Sequence, residues 1–298
     1  MNDQAESLRT LMNQDSTAEG GGADRRVIAV ASGKGGVGKS NFCVNFALGL
    51  QRANHRPIVI DADVGFADIE VLLGIHPQRT MVDVVKGTSI WEALEYDSTG
   101  LPFLSAGNGL LNIHELLPHE LDRLLQELDR LQDKHDIILV DSGAGMGDNM
   151  GRLLMAADDL VLVTTPEPTS IADGYALLKM MVVRGNVPNV QLVVNRARSF
   201  TDAKLTADKL RMVADRFLDL NIGVLGYVLE DVAVPNSVMR QEALLQAYPN
   251  SPAARCIEQI VKNYLRLEPE VPRTGITGFL QKLLHRRSGG EVNSSHTA

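Results

Sequence analysis

A chain of 298 residues, 44% hydrophobic but only 4% aromatic, has room for one large α/β domain or two small ones, with a core that must be mostly aliphatic. Its net charge of −8 argues against broad non-specific binding to nucleic acid. Two cysteines far apart, Cys43 and Cys256, form no CxxC pair or Cys/His cluster, which argues against a metal or disulfide framework and suits buried, reduced thiols in the cytoplasm.

The chain opens with no apolar signal segment, and no apolar run approaches the length of a membrane span. Asn2 to Met12 can form a short amphipathic helix, capped by Asp3 with Glu6 as its capping-box partner. Ala5, Leu8, Leu11 and Met12 would share one face. The bland alternative is a disordered tail with an incidental helix. Glu19-Gly20-Gly21-Gly22-Ala23 ends this stretch as a flexible tether.

Arg25 to Ala31 reads as a strand, and the loop Gly33-Lys34-Gly35-Gly36-Val37-Gly38-Lys39-Ser40 follows it directly. The loop fits G-x-x-x-x-G-K-[ST], with an extra lysine at its second position. Glycines let backbone N–H groups curl around phosphate oxygens; Lys39 would reach the β and γ phosphates, and the Ser40 hydroxyl would bind Mg²⁺. Asn41 to Arg52 is an apolar-rich helix whose N-terminal dipole would face the phosphates.

The second strand ends Asp61-Ala62-Asp63-Val64-Gly65-Phe66-Ala67-Asp68. Carboxylates beside a phosphate site are costly unless they meet Mg²⁺, water or lysine. Asp61 and Asp63 could exchange roles on this pattern alone. A later apolar strand ends in Asp141-Ser142-Gly143-Ala144-Gly145, the usual Walker B arrangement, whose carboxylate organises the Mg²⁺ shell.

From about Arg25 to Leu265, strand and helix patterns alternate. The strand candidates are 27–32, 57–62, 101–105, 136–141, 160–165, 190–195 and 223–229, mostly continuous apolar runs, with helical patterns such as 119–131 and 174–184 between them. This pattern predicts a doubly wound, mostly parallel α/β sheet flanked by helices, with ligands at the carboxyl ends of its strands. Glu268 to Arg273 is a linker by its two prolines. Beyond it, Ile276, Phe279, Leu280, Leu283 and Leu284 fall at i, i+3, i+4, i+7, i+8, and 275–287 holds Lys282, His285, Arg286 and Arg287 but no acidic residue. A short basic amphipathic helix after a linker reads as a membrane-surface anchor; the alternative is a terminal helix docked on the body. Residues 288–298 read as a polar tail. The chain thus divides into an extension (1–24), a body (25–265) and a linker, helix and tail (266–298).

The loop KGGVGKS, the stretch DADVGFAD and DSGAG together resemble the three signatures of the MinD/ParA deviant-Walker-A ATPases, over nearly the whole body. The resemblance implies a P-loop NTPase fold, ATP and Mg²⁺ as ligands, and an ATP-dependent homodimer in which Lys34 crosses to the partner's phosphates. By the same match Asp63 would orient the attacking water, Asp61 would assist the Mg²⁺ network, Asp141 would hold Mg²⁺, and Asn195 would read adenine. The segment after the last strand supplies a Pro-containing base contact in that family; here Leu229-Glu230-Asp231 carries no proline, which leaves Glu230 or Asp231 for a backbone contact. The basic tail is similar to the membrane-targeting tail of MinD-type proteins, so paired subunits would gather on the inner face of the cell membrane.

Asp3-Gln4-Ala5-Glu6-Ser7-Leu8-Arg9 resembles the DQAxxLR motif of the flagellar-number regulators called FlhG, FleN or YlxH. In that family the segment docks on the GTPase FlhF and stimulates it, which implies FlhF-binding roles for Asp3, Gln4, Ala5, Leu8 and Arg9. Flagellar basal-body (C-ring) or transcription-regulator proteins are the other implied partners. Rival readings are a MinD-type division-site regulator and a ParA-type DNA partition ATPase. A redox enzyme on the same fold would need cluster-ligating cysteines that Cys43 and Cys256 do not supply.

Overall fold

The computed structural model describes residues 25–63, 68–105, 116–143, 147–185, 187–267 and 274–284. The amino-terminal positions Asp3, Gln4, Ala5, Leu8 and Arg9, and Arg286 and Arg287 at the other end, lie outside these residues.

Eight strands form one sheet in the order β3-β4-β2-β5-β1-β6-β7-β8, where β1 is Arg26–Ala31, β2 Pro57–Ala62, β3 Glu95–Tyr96, β4 Pro102–Ser105, β5 Ile137–Ser142, β6 Asp159–Thr164, β7 Asn189–Ala197 and β8 Gly223–Leu229. Every pairing is parallel except β3 with β4 at the edge. β1, β2, β5 and β6 are buried along their whole length, covered on both faces, which is why they read as unbroken apolar runs. β3 is only two residues long and leaves no such signature. The expected doubly wound fold is present, and the chain reverses direction across the sheet at β1, between β5 and β6. The loop after β1 therefore opens at the topological switch point, where such sheets hold ligands.

One face of the sheet carries α1 (Lys39–Arg52), α2 (Asp68–Leu73), α9 (Ala233–Met239), α10 (Leu244–Ala247) and α11 (Pro252–Leu265). The other carries α3 (Met81–Val85), α4 (Ile90–Ala93), α5 (Pro118–Asp129), α6 (Asp148–Ala156), α7 (Pro168–Arg184), α8 (Phe200–Leu218) and α12 (Gly275–Leu284). Both cysteines are buried and free.

At the amino edge of the sheet a polar knot ties α11 to three strands. The Tyr264 hydroxyl donates to Asp159 Oδ2 at 2.6 Å, Asn189 Nδ2 donates to Asp159 Oδ1 at 2.8 Å, and the Arg26 guanidinium lies 5.2 Å from the Tyr264 ring centre. Tyr264 is fully buried.

The amphipathic helix read from 275–287 forms over Gly275–Leu284, but its apolar face is covered by the body. Ile276, Phe279, Leu280 and Leu283 are at most 4% exposed, and Leu284 packs against the same cluster. The helix lies against α6, α5 and β1. Asp158 latches its first turn: Thr274 N, Thr274 Oγ1 and Gly275 N donate to its carboxylate at 2.9–3.2 Å. Lys282 Nζ stands 3.7 Å from the same carboxylate. Thr277 Oγ1 adds a bond to Asp129 Oδ1 at 2.8 Å. Among the described residues no helix is long and apolar enough to cross a membrane.

Tyr264→Phe should lower stability by about 1–3 kcal/mol, because the buried Asp159 carboxylate loses the Tyr264 hydroxyl as a donor. A urea titration monitored by circular dichroism reads this as a lower midpoint, with nucleotide binding unchanged.

Candidate functional site

The glycine cradle is built by close approach and left-handed backbone. A Cβ on Gly33 would be driven into the backbone of Asp173 and Gly174 in α7, so the loop packs against that helix only as glycine. Gly36 and Gly38 hold φ of +76° and +86°, the region that favours glycine. Gly38 then starts α1 at Lys39, so the first free N–H groups of a 14-residue helix face the cradle.

Four sequence-predicted residues meet beneath it. Asp61 and Asp141 are directly paired across β2 and β5. Lys39 Nζ donates to Asp141 Oδ1 at 2.6 Å and lies 3.1 Å from Ser40 Oγ. All four are buried, at 6% exposure or less. Burial, and next the charge of Asp141, push the Asp61 carboxyl up to about 7, against the pull of the Asp63 and Ile69 N–H groups and of Lys39. Burial pushes Asp141 upward too, opposed by Lys39 and Ser40. The Asp63 N–H donates to Asp61 Oδ1 at 3.0 Å, so the second strand's end folds back on its own carboxylate. Asp63 itself is half-buried against Gly143, at the mouth of the site.

Among the described residues, Asp61 Oδ2 and Asp141 Oδ2 are buried without a hydrogen-bond partner. Two orphaned carboxylate oxygens beside a serine hydroxyl and a phosphate cradle fit Mg²⁺, which keeps several waters and takes few protein oxygens. Ser40, Asp141 and Asp61 are the residues that would hold it, the acids through water.

Lys34 is elsewhere. Its Nζ donates to Glu167 Oε2 at 2.8 Å and to Thr169 Oγ1 at 2.9 Å, on the turn that opens α7. Both partners of the ion pair are partly exposed, at 38% and 52%. Lys34 holds the Glu167 carboxyl below the ordinary glutamate range. The sequence pattern does not reveal Glu167 or Thr169, because nothing local ties residues 133 and 135 positions away to the loop.

A cleft of about 370 Å³ adjoins the cradle, lined by Gly38, Asn41, Phe42, Asn195, Arg196 and the segment from Val228 to Pro235 among others. Asn195, Glu230 and Asp231 are among its lining residues. One detail differs from the sequence reading. Pro235 lines the cleft, so the proline is present but lies in α9, beyond Leu229-Glu230-Asp231. Asp231 is turned inward as a staple, its carboxylate accepting from Ala233 N and Ala253 N at 2.9 and 3.0 Å. Asn195 Nδ2 donates to Val37 O at 2.8 Å, so it braces the cradle in this structure.

The comparisons with known proteins agree with this geometry. A family model described as "ParA: NUBPL iron-transfer P-loop NTPase" matches residues 24–265. The antiactivator FleN of Pseudomonas aeruginosa is 34% identical over 269 residues, covering 90% of this chain and 96% of that protein. The flagellum site-determining protein YlxH of Helicobacter pylori is 30% identical over 297 residues, covering 95% and 99%. Among solved structures, the MinC:MinD cell division protein complex of Aquifex aeolicus matches with a TM-score of 0.66 over 84% of this chain and 99% of that one, at 22% identity, a likeness of fold.

Lys39→Ala should do two things at once. It removes the phosphate-binding amine, and it leaves Asp141 buried without its cation, at a cost of about 3–5 kcal/mol. Calorimetry should find MgATP binding lost, and thermal unfolding without nucleotide should shift well below the parent.

Proposed function

The chain belongs to the ParA family of P-loop NTPases, and from that premise we propose that it is a MinD-like ATPase of the flagellar-number-regulator branch, one that pairs on ATP and settles on the inner face of the cell membrane. The observation that carries this reading is the division of labour between two lysines in one loop. Lys39 occupies its own cradle, bound to Asp141. Lys34 is held on the outer rim, on Glu167 and Thr169, with its amine partly open to solvent. A cation on the rim is available to a second subunit facing the cradle.

In the proposed cycle, ATP displaces Lys39 from Asp141 as the phosphates enter. The cradle N–H groups and Lys39 bind the β and γ phosphates. Mg²⁺, when bound, neutralises charge on the β and γ oxygens. Asp63, at the mouth of the site, orients the water that attacks the γ phosphorus in line with the departing ADP oxygen. Lys34 leaves Glu167 and completes the cage of the partner's triphosphate, which is the task of an arginine finger supplied in trans. Asn195, Pro235 and the backbone near Glu230 and Asp231 hold the base. Hydrolysis and loss of phosphate return Lys34 to Glu167 and part the subunits.

The membrane step uses the carboxyl-terminal helix. Its apolar face, Ile276, Phe279, Leu280, Leu283 and Leu284, must leave the body before it can enter lipid, with Lys282, Arg286 and Arg287 facing headgroups. The segment carrying Asp3, Gln4, Ala5, Leu8 and Arg9 docks on the FlhF GTPase and stimulates it, and the output is control of flagellar number and placement through basal-body or transcription-regulator proteins. Similarity to FleN and YlxH over nearly the full chain supports this branch over a division-site or partition role.

Asp63→Ala should bind MgATP, hydrolyse it at least tenfold more slowly, and run as a dimer by size-exclusion chromatography with light scattering. With ATP it should float with anionic liposomes, and the same variant ending at Leu267 should not. A species that stays monomeric when saturated with ATP would contradict the pairing.

A further inference from the structure

Two consecutive residues at the end of β7 grip two consecutive carbonyls of the glycine cradle. Asn195 Nδ2 donates to Val37 O at 2.8 Å, and the Arg196 guanidinium to Gly36 O at 3.4 Å. A bulge aims them there. Val194 pairs with Tyr227 and Ala197 with Leu229, so β7 spends one residue more than β8 over this stretch. Arg196 takes up the bulge at φ +55°, in the left-handed region. Its N–H is held by Asn195 Oδ1 at 3.0 Å. For a long, non-glycine side chain that backbone is costly, and such strain persists where the surroundings enforce it and function uses it. The ladder alone does not require it, since glycine would sit there without strain.

Arg196 is exposed on the rim of the nucleotide cleft. Arg196 and Glu167 grip the same loop two residues apart, at Gly36 and Lys34, and the Arg196 charge adds to the larger effect of Lys34 in lowering the Glu167 carboxyl. When Lys34 departs, Glu167 is left beside an incoming triphosphate and repels it unless another cation answers.

We propose that Arg196 is a positioning residue for Lys34: it steadies the loop at Gly36, two residues past Lys34, and takes over Glu167 when Lys34 crosses to the partner. This rests on the reading that Lys34 acts in trans. Without Arg196, Lys34 is the cation left to Glu167 among the described residues, and it is retained there.

The test is steady-state ATP turnover and light scattering on the full chain. Arg196→Gly is the decisive variant, because glycine accepts the backbone and the protein should unfold at an equal or higher temperature than the parent. Its kcat should fall about tenfold and its ATP-dependent pairing should weaken, while KM and MgADP affinity stay within about twofold. Arg196→Lys should recover most of the kcat. Arg196→Gly with Glu167→Gln should turn over as Glu167→Gln alone does, because a neutral amide there no longer retains Lys34. A kcat at the parental level, or a MgADP affinity that falls in step with kcat, overturns the proposal; the second result would make Arg196 a direct ligand contact. Lys34→Ala separates the two layers. If it pairs and hydrolyses normally, the trans reading fails and this proposal with it. If it is inactive while Arg196→Gly is unaffected, only the present proposal falls.

Discussion

Asp61 and Asp141 face one another on neighbouring strands inside an aliphatic core, and the Lys39 ammonium makes that placement tolerable. Two buried carboxyls this close cannot both stay ionised without a cation. Part of the strain is relieved by proton uptake, with Asp61 pushed up to about 7, and part by the 2.6 Å pair between Lys39 and Asp141. Each solution is provisional. A divalent metal ion would bring these carboxylates two positive charges where the lysine brings one, while the negative triphosphate calls the same amine away. The site is therefore arranged so that its ligand completes an electrostatic balance that the protein alone meets only with a borrowed cation.

The second lysine of the loop obeys a different rule. Lys34 pairs on the surface, where an ion pair contributes little to stability, typically about 0–1 kcal/mol. A contact that weak is easily exchanged. The inner lysine is held tightly because its partner is buried; the outer one is held loosely because its partner is wet. That contrast is physical grounds for giving the inner amine a fixed role in the cradle and the outer amine a moving one.

What the sequence could disclose follows the range of each interaction. The cradle was legible because its requirements are local: glycines where φ is positive or a helix backbone presses close, a lysine and a hydroxyl at fixed offsets. The apolar runs of the buried strands were legible for the same reason. That Asp61 lies against Asp141 depends on β2 pairing with β5 across 80 residues, so the two could be named as candidates but not joined. Glu167 and Arg196 escaped because each acts on the loop from a distant strand end, and Arg196 only through a bulge. Pro235 escaped because it lies past the turn after β8, inside a helix. The carboxyl-terminal helix shows the sharpest limit. Its periodicity specified an apolar face correctly, yet an apolar face does not name what covers it, and a groove in the body serves as well as a bilayer.

That ambiguity has an energetic content in the proposed cycle. Moving Ile276, Phe279, Leu280 and Leu283 from the body to lipid exchanges one apolar medium for another, so the large burial terms, about 1.5–3 kcal/mol per side chain, nearly cancel. Smaller terms decide. On the docked side stand the bonds from Thr274 and Gly275 to the Asp158 carboxylate, with charged-acceptor bonds worth about 1.5–3 kcal/mol each, and the groove that departure would leave against α6 and β1. On the lipid side stand headgroup contacts and, for a pair of subunits, an effective-concentration gain on the order of 10²-fold, or about 2.7 kcal/mol. α6 follows β5, so one wall of the groove is continuous in the chain with the strand that ends at Asp141. Three such bonds outweigh the effective-concentration gain by itself, so in the proposed cycle release needs headgroup contacts as well as pairing, or a movement of α6 that loosens the groove.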